Sequence, residues 1–245
     1  MTKLDIIRKT KALFLKWNLH VLLSPFSKIL LNAVYLGELG KWRKMHPVNG
    51  YNDFYQGSWD YSRRYLLYEA LIKQEQLDTT AIDYLEFGVS GGSSFRWWLS
   101  KNTNPSSAFF GFDTFEGLPE KWGGYAKGAM AAKLETLNIN DTRASFYKGL
   151  FQETLIPFLE NYRPGNRKLI HMDADLFSAT IFTLSQLYKY LNDGDIIMFD
   201  EFAVPLHEFL ALKIFTENFY INYEVIAAAN NYLFLAVKIK KDNNL

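Results

Sequence analysis

Glu86-Phe87-Gly88-Val89-Ser90-Gly91-Gly92-Ser93-Ser94 runs from the end of an apolar strand, through a glycine-rich turn, into the start of a helix. Glycine lets a backbone approach a ligand closely, and the N-terminus of the following helix offers unpaired N–H groups. Dinucleotide, phosphate and methionine-sulfonium sites all use such a turn, and glycines also serve as plain turn residues. The spacing here is not G-x-G-x-x-G, and no G-x-x-x-x-G-K-[ST] occurs, which disfavours nicotinamide-linked redox chemistry and P-loop phosphate binding.

Outward from that turn, strand and helix patterns alternate. Strands are predicted at 84–87, 108–112, 144–147, 168–172, 195–199, 223–226 and 232–239, with helical patterns starting near Ser93, Ala129, Phe151, Phe177 and Leu206. The alternation predicts an α/β fold: a mostly parallel seven-stranded sheet covered by helices on both faces. Asn230-Asn231 is a turn-forming pair between the last two strands, so the final strand is expected to run antiparallel, at the end of the parallel sheet. A further helix is expected over 61–77.

In an open α/β sheet, ligands bind beyond the carboxyl ends of the strands. The second strand ends in Phe112-Asp113-Thr114-Phe115-Glu116-Gly117. An acid at that tip accepts hydrogen bonds from two ribose hydroxyls while a neighbouring aromatic covers an adenine face; the competing reading is a turn cap. The fourth strand delivers His171-Met172-Asp173-Ala174-Asp175 and the fifth Asp200-Glu201-Phe202. Four carboxylates converging at one sheet edge need a counter-charge, and a divalent cation such as Mg²⁺ supplies it; the alternative is that some of them, Asp175 first, cap the following helices. His171 and His207 are weaker candidates for chemistry, and a structural role is the simpler reading.

Composition bounds the rest. The 245 residues are 49% hydrophobic, enough for one catalytic domain with an N-terminal extension. The division expected is 1–78 for a helical extension that oligomerises or covers substrate, and 79–245 for the ligand-binding domain. With no cysteine, disulfides, thiolate zinc sites and cysteine nucleophiles are excluded, leaving hard metals. Residues 1–75 carry 12 Lys+Arg against 6 Asp+Glu, but no dense basic stripe interleaved with aromatics, so nucleic acid is not an expected partner. Lys16, His20, Pro25 and Lys28 interrupt the apolar stretch 12–39, which reads as two amphipathic helices broken near Ser24-Pro25 rather than a spanning helix. A packing or dimerisation element, hence a homo-oligomer, is preferred there over peripheral membrane contact, and a cytoplasmic protein is expected.

Four segments in this order, E-F-G-V-x-x-G-x-S at Glu86 to Ser94, F-D-T-F-E-G-L-P at Phe112 to Pro119, K-G-L-F-Q-E-T-L at Lys148 to Leu155 and D-A-D-L-F-S-A-T at Asp173 to Thr180, resemble the macrocin O-methyltransferase family of sugar-modifying class I methyltransferases. The resemblance covers roughly residues 83–240. It implies a Rossmann-like fold, S-adenosylmethionine as cofactor, and methyl transfer to a hydroxyl of a sugar or glycosylated small molecule. It implies that Glu86, Gly88, Val89, Ser93, Ser94, Asp113, Thr114 and Phe115 hold the cofactor, and that Asp173, Asp200 and Glu201 hold Mg²⁺. Where the family shows two aspartates and a tyrosine, this chain has Asp200, Glu201 and Phe202. Asp173 is the candidate base, since a carboxylate at the metal can take the acceptor proton. Trp122-Gly123-Gly124-Tyr125 offers either an acceptor platform or buried packing. Two rivals stay open: a methyltransferase that uses no metal, and a non-catalytic nucleoside-binding scaffold of the same fold.

Overall fold

A computed structural model describes residues 2–241. Helices α1 (Lys3–Lys16), α2 (His20–Leu23) and α3 (Ser27–Met45) lead to strand β1 (Val48–Asn52) and helix α4 (Arg63–Glu75). Next come β2 (Ile82–Phe87), α5 (Ser93–Lys101), β3 (Ala108–Asp113), β4 (Ala144–Lys148), α6 (Phe151–Asn161), β5 (Arg167–Met172), α7 (Phe177–Leu187), β6 (Ile196–Phe199), α8 (Glu208–Phe219), β7 (Asn222–Ala229) and β8 (Phe234–Lys240).

The strands form one sheet in the order β1-β7-β8-β6-β5-β2-β3-β4. All neighbours are parallel except β8, which runs antiparallel to both β6 and β7. The expected Rossmann-like sheet is thus present, with two differences. It has an eighth strand, and the antiparallel strand lies inside the sheet instead of at its edge. The eighth strand is β1, whose sequence VNGYN contains asparagine and glycine, residues depleted from strands, so its pairing with β7 leaves no apolar alternation to read. β1 and α4 precede the expected division at 78/79, yet one is paired into the sheet and the other packs against it.

Alternation along β2 sorts its side chains. Ile82 and Tyr84 face a core layer shared with Leu67, Tyr68 and Leu71 of α4 and Phe95 and Trp98 of α5. Leu85 and Phe87 face the other layer, shared with Leu155 and Phe158 of α6, Leu184 of α7, and Phe209 and Leu212 of α8. Each of these large buried side chains contributes about 1.5–3 kcal/mol of transfer free energy. The covered sheet therefore offers ligands only its strand tips.

The helix expected near Ala129 is absent. Gly117 has φ +82°, and a Cβ there would meet the Ala129 carbonyl oxygen at 2.3 Å. Backbone bonds from Leu118 N–H to Ala129 O and from Gly128 N–H to Leu118 O, both 2.9 Å, fold 117–130 back on itself, and only a 3-10 turn comes after it, at Leu134–Leu137. Positive φ at Gly128 and Met130 overrides the helix-favouring alanines.

Candidate active site

Backbone hydrogen bonds fasten the strand tips together before any side chain takes part. Gly88 N–H donates to Phe112 O at 2.9 Å, Asp173 N–H to Phe87 O at 2.9 Å, and Asp200 N–H to Met172 O at 3.1 Å. Gly88 has φ +99°, and a Cβ there would stand 1.8 Å from the Asp173 carbonyl oxygen. Glycine is required at that point by contact as well as by conformation.

A cleft of about 320 Å³ opens over these tips. Its floor and walls include Gly88, Ser90, Asp113, Thr114, Asp173 and Asp175. The Asp113 carboxylate accepts the Ser90 N–H at 2.7 Å on one oxygen and the Phe115 N–H at 2.6 Å on the other. One acid thus ties the glycine turn to the β3 tip and keeps lone pairs for a ligand's hydroxyls. Gly149 N–H reaches the Asp113 carbonyl at 3.0 Å, and Leu150 N–H donates to Glu153 Oε2 at 3.1 Å, so the K-G-L-F-Q-E segment packs the start of α6 beside the same acid.

The other expected cofactor residues divide between cleft and underpinning. Gly88 and Thr114 line the cleft. Glu86 is fully buried beneath it, accepting bonds from Ser94 Oγ and Tyr84 Oη, both at 2.6 Å. Val89 and Phe115 are buried in the core layer that contains Phe95 and Trp98, and Ser93 is the first residue of α5.

On the far side of the cleft, His171, Asp173 and Asp200 place one potential ligand atom each within 4.8 Å of one another. Asp200 Oδ1 is buried without a hydrogen-bond partner. The other oxygen of Asp200 accepts from Arg64 Nη2 at 2.9 Å, and Arg64 Nη1 lies 3.9 Å from Asp173 Oδ2. Burial, reinforced by the charge of Asp200, holds the Asp173 carboxyl well above the usual carboxylate range. The His171 ring is bonded to the Tyr84 and Tyr68 hydroxyls at 3.1 and 3.3 Å. Burial opposes its charge, but the carboxylates of Asp200 at 3.8 Å and Glu86 at 4.0 Å prevail and raise its pKa to about 10.

Glu201 is not part of that trio of ligand atoms. Its backbone N–H donates to Glu208 Oε2 at 2.8 Å, and its carboxylate interacts with the Tyr61 hydroxyl. Burial and the neighbouring Asp200 raise its pKa to about 7. Asp175, the acid read as a possible helix cap, makes no side-chain cap of α7; it sits at φ +57° in the cleft wall, with burial and Asp200 raising it to about 6. Phe202 is fully buried, its ring 4.9 Å from that of Trp42.

Trp122 and Tyr125 stack on each other at 5.5 Å, and Trp122 meets the His207 ring edge-on at 6.2 Å. Arg64, Tyr61 and Glu208 escaped the sequence reading. Arg64 reaches Asp200 across 136 residues of chain, and no local pattern marks such a partner.

A glycine turn closed against the neighbouring strand tip, with an acid at the next tip clamping that turn, in this strand order defines a class I S-adenosylmethionine-dependent methyltransferase. The family model for macrocin O-methyltransferase (TylF) matches residues 62–228, and the chain belongs to that family of O-methyltransferases. Among solved structures, it resembles the calicheamicin methyltransferase CalS11 with TM-score 0.57 and 22% identity over 71% of this chain and 78% of that one. It also resembles the O-methyltransferase NovP with TM-score 0.56 and 19% identity over 74% and 79%. A comparison with curated proteins finds no match.

Proposed function

We propose that the chain methylates a hydroxyl of a sugar or a glycosylated small molecule with the assistance of a divalent cation. The observation that carries this reading is the shared cleft: Asp113, suited to ribose hydroxyls, and Asp173 and Asp175, suited to a hydroxyl proton, line the same 320 Å³ space. CalS11, one of the similar structures, is described as a TDP-rhamnose 3'-O-methyltransferase, which supports a sugar as the acceptor.

When bound, S-adenosylmethionine supplies an electrophilic methyl group, and Mg²⁺ supplies positive charge that acidifies a hydroxyl. Asp113 accepts the ribose hydroxyls, with its orientation already set by Ser90 and Phe115 N–H. Gly88 keeps the β2 and β5 tips in contact, so that ribose-binding and proton-accepting carboxylates stay at fixed separation. Asp173 takes the acceptor proton, and Asp175 is the second carboxyl facing the cleft. Trp122, stacked with Tyr125, gives an aromatic face for the acceptor ring.

The cation fits two of its three expected ligands. Asp173 and Asp200 converge, and the buried Oδ1 of Asp200 accepts no hydrogen bond, which leaves it able to bind a cation. Glu201 would complete the set as its third member, because the His171 ring that lies beside Asp173 and Asp200 is held in its charged form and offers no lone pair. The decisive experiment is methyl transfer from S-adenosylmethionine to a panel of nucleotide-activated sugars and glycosides, with and without chelator. Turnover abolished by chelator and by Asp173→Asn supports the reading. Turnover indifferent to chelator removes the metal, and binding of S-adenosylmethionine without turnover on any acceptor favours the scaffold.

A further inference from the structure

Residues 2–34 form an arm that the rest of the described protein does not bury. Fifteen large apolar side chains between Leu4 and Leu36 are exposed, with accessibilities from 41% to 74%. Among residues 2–34 none is buried. The arm is rooted farther along α3, where Tyr35 and Leu39 pack against the core and Trp42 is buried, donates Nε1–H to Tyr223 Oη at 2.7 Å and stacks with His46. Exposed apolar surface on this scale marks an interaction site.

Two features select the occupant. In α3, Ile29, Leu30, Leu31, Val34 and Leu36 spread over roughly 220° of the helix circumference at ~100° per residue, about twice the stripe that one packing partner covers. A two-fold seam with a second copy leaves much of that surface wet, whereas a bilayer covers it from all sides. The same arm carries Lys3, Arg8, Lys9, Lys11, Lys16 and Lys28 against the single acid Asp5. Two such arms repel each other, and an anionic headgroup layer attracts either. Trp17 and Phe26, both exposed, flank α2 at its two ends, where amphipathic rings sit well at a headgroup boundary.

We propose that the N-terminal arm docks the enzyme onto one leaflet of an anionic membrane, with the basic α1 among the headgroups and α2 and the first half of α3 in the acyl boundary. No single helix among the described residues is long and apolar enough to cross a membrane, and α1 meets the segment His20–Met45 at a bend of 82°. That shape fits a surface-lying element. Apolar insertion and a basic patch together supply the two signals that stable attachment needs. The docking does not depend on which acceptor the enzyme methylates.

Flotation of the purified full chain with vesicles tests it: equimolar phosphatidylglycerol and phosphatidylcholine against phosphatidylcholine alone, with sedimentation velocity run in parallel. The chain is expected to float with the anionic vesicles, to be lost from them in Leu30→Glu/Leu31→Glu, and to bind about thirtyfold more weakly in Lys11→Gln/Lys16→Gln. Thermal midpoint and S-adenosylmethionine binding should match wild type in both variants, because none of these side chains is buried. Equal binding to neutral vesicles overturns the headgroup assignment. No flotation, whether the chain sediments as a monomer or as a dimer that Leu30→Glu/Leu31→Glu dissociates, overturns the docking.

Discussion

Arg64 Nη2 lies 2.9 Å from Asp200 Oδ2, with Asp200 almost wholly buried, so a guanidinium from α4 already occupies part of the space where the carboxylates of β5 and β6 converge. Arg64→Met leaves those carboxylates without that charge. The variant is expected to lose about 3 kcal/mol of stability, since breaking one side of a buried pair strands the other. Mg²⁺ should then recover much of the loss, about 2.7 kcal/mol at a hundred times its Kd. Denaturant melts with and without the ion read both numbers. A variant indifferent to Mg²⁺ and Mn²⁺ would count against a metal held by Asp173 and Asp200.

Asp113→Ala removes the acceptor shared by Ser90 and Phe115 N–H as well as the ribose partner. S-adenosylmethionine binding is expected to weaken by about 10- to 100-fold, the range for hydrogen bonds to a charged group. Calorimetric titration checks it, and unchanged affinity would move the nucleoside away from the β3 tip.

Gly88→Ala and Gly91→Ala should separate cleanly. The first places a methyl 1.8 Å from the Asp173 carbonyl oxygen at φ +99°, while the second meets nothing within 4 Å. A loss beyond about 4 kcal/mol, or failure to fold, is expected for the first, and a change within about 0.5 kcal/mol for the second. Thermal melts of the two proteins suffice.

Glu75 receives Arg167 Nη2 at 2.7 Å and Lys238 Nζ at 2.9 Å. Burial alone would raise its pKa, but the bonds from Lys238 and Arg167 outweigh it and the carboxyl titrates below its ordinary value. A depressed folded value means that this stabilisation is complete above the unfolded pKa of about 4.3 and is lost as pH falls from there through the folded value. Glu75→Gln should therefore be less stable than wild type near neutrality and show a shallower fall between roughly pH 5 and 3. Parallel acid-limb slopes would show that Glu75 does not link to pH.

The glycine turn, the Asp113 tip and the four acids of β5 and β6 were legible because each sits at the end of an apolar run, where local sequence states both the strand and the turn that leaves it. The Asn230-Asn231 turn was equally plain, and both residues hold positive φ in the hairpin. Residues 129–135 misled because helix-favouring alanines conceal the close contact of Gly117 with Ala129. β1 was invisible for lack of apolar alternation, since its register comes from β7. At the site, Asp173 and Asp200 were readable, whereas Tyr61, which interacts with Glu201, and the Arg64 charge come from a helix and turn that no strand-tip rule reaches.

The edge strand β1 and the Trp42 root both wait on β7: Trp42 finds its Tyr223 partner 181 residues later in the chain. At ~5–20 residues per second of synthesis, about ten to forty seconds separate the arm from the strand that fixes its root. During that interval its apolar helices are open to chaperones or to a lipid surface, and the order in which the chain is made lets either meet the arm before the sheet that anchors its root is complete.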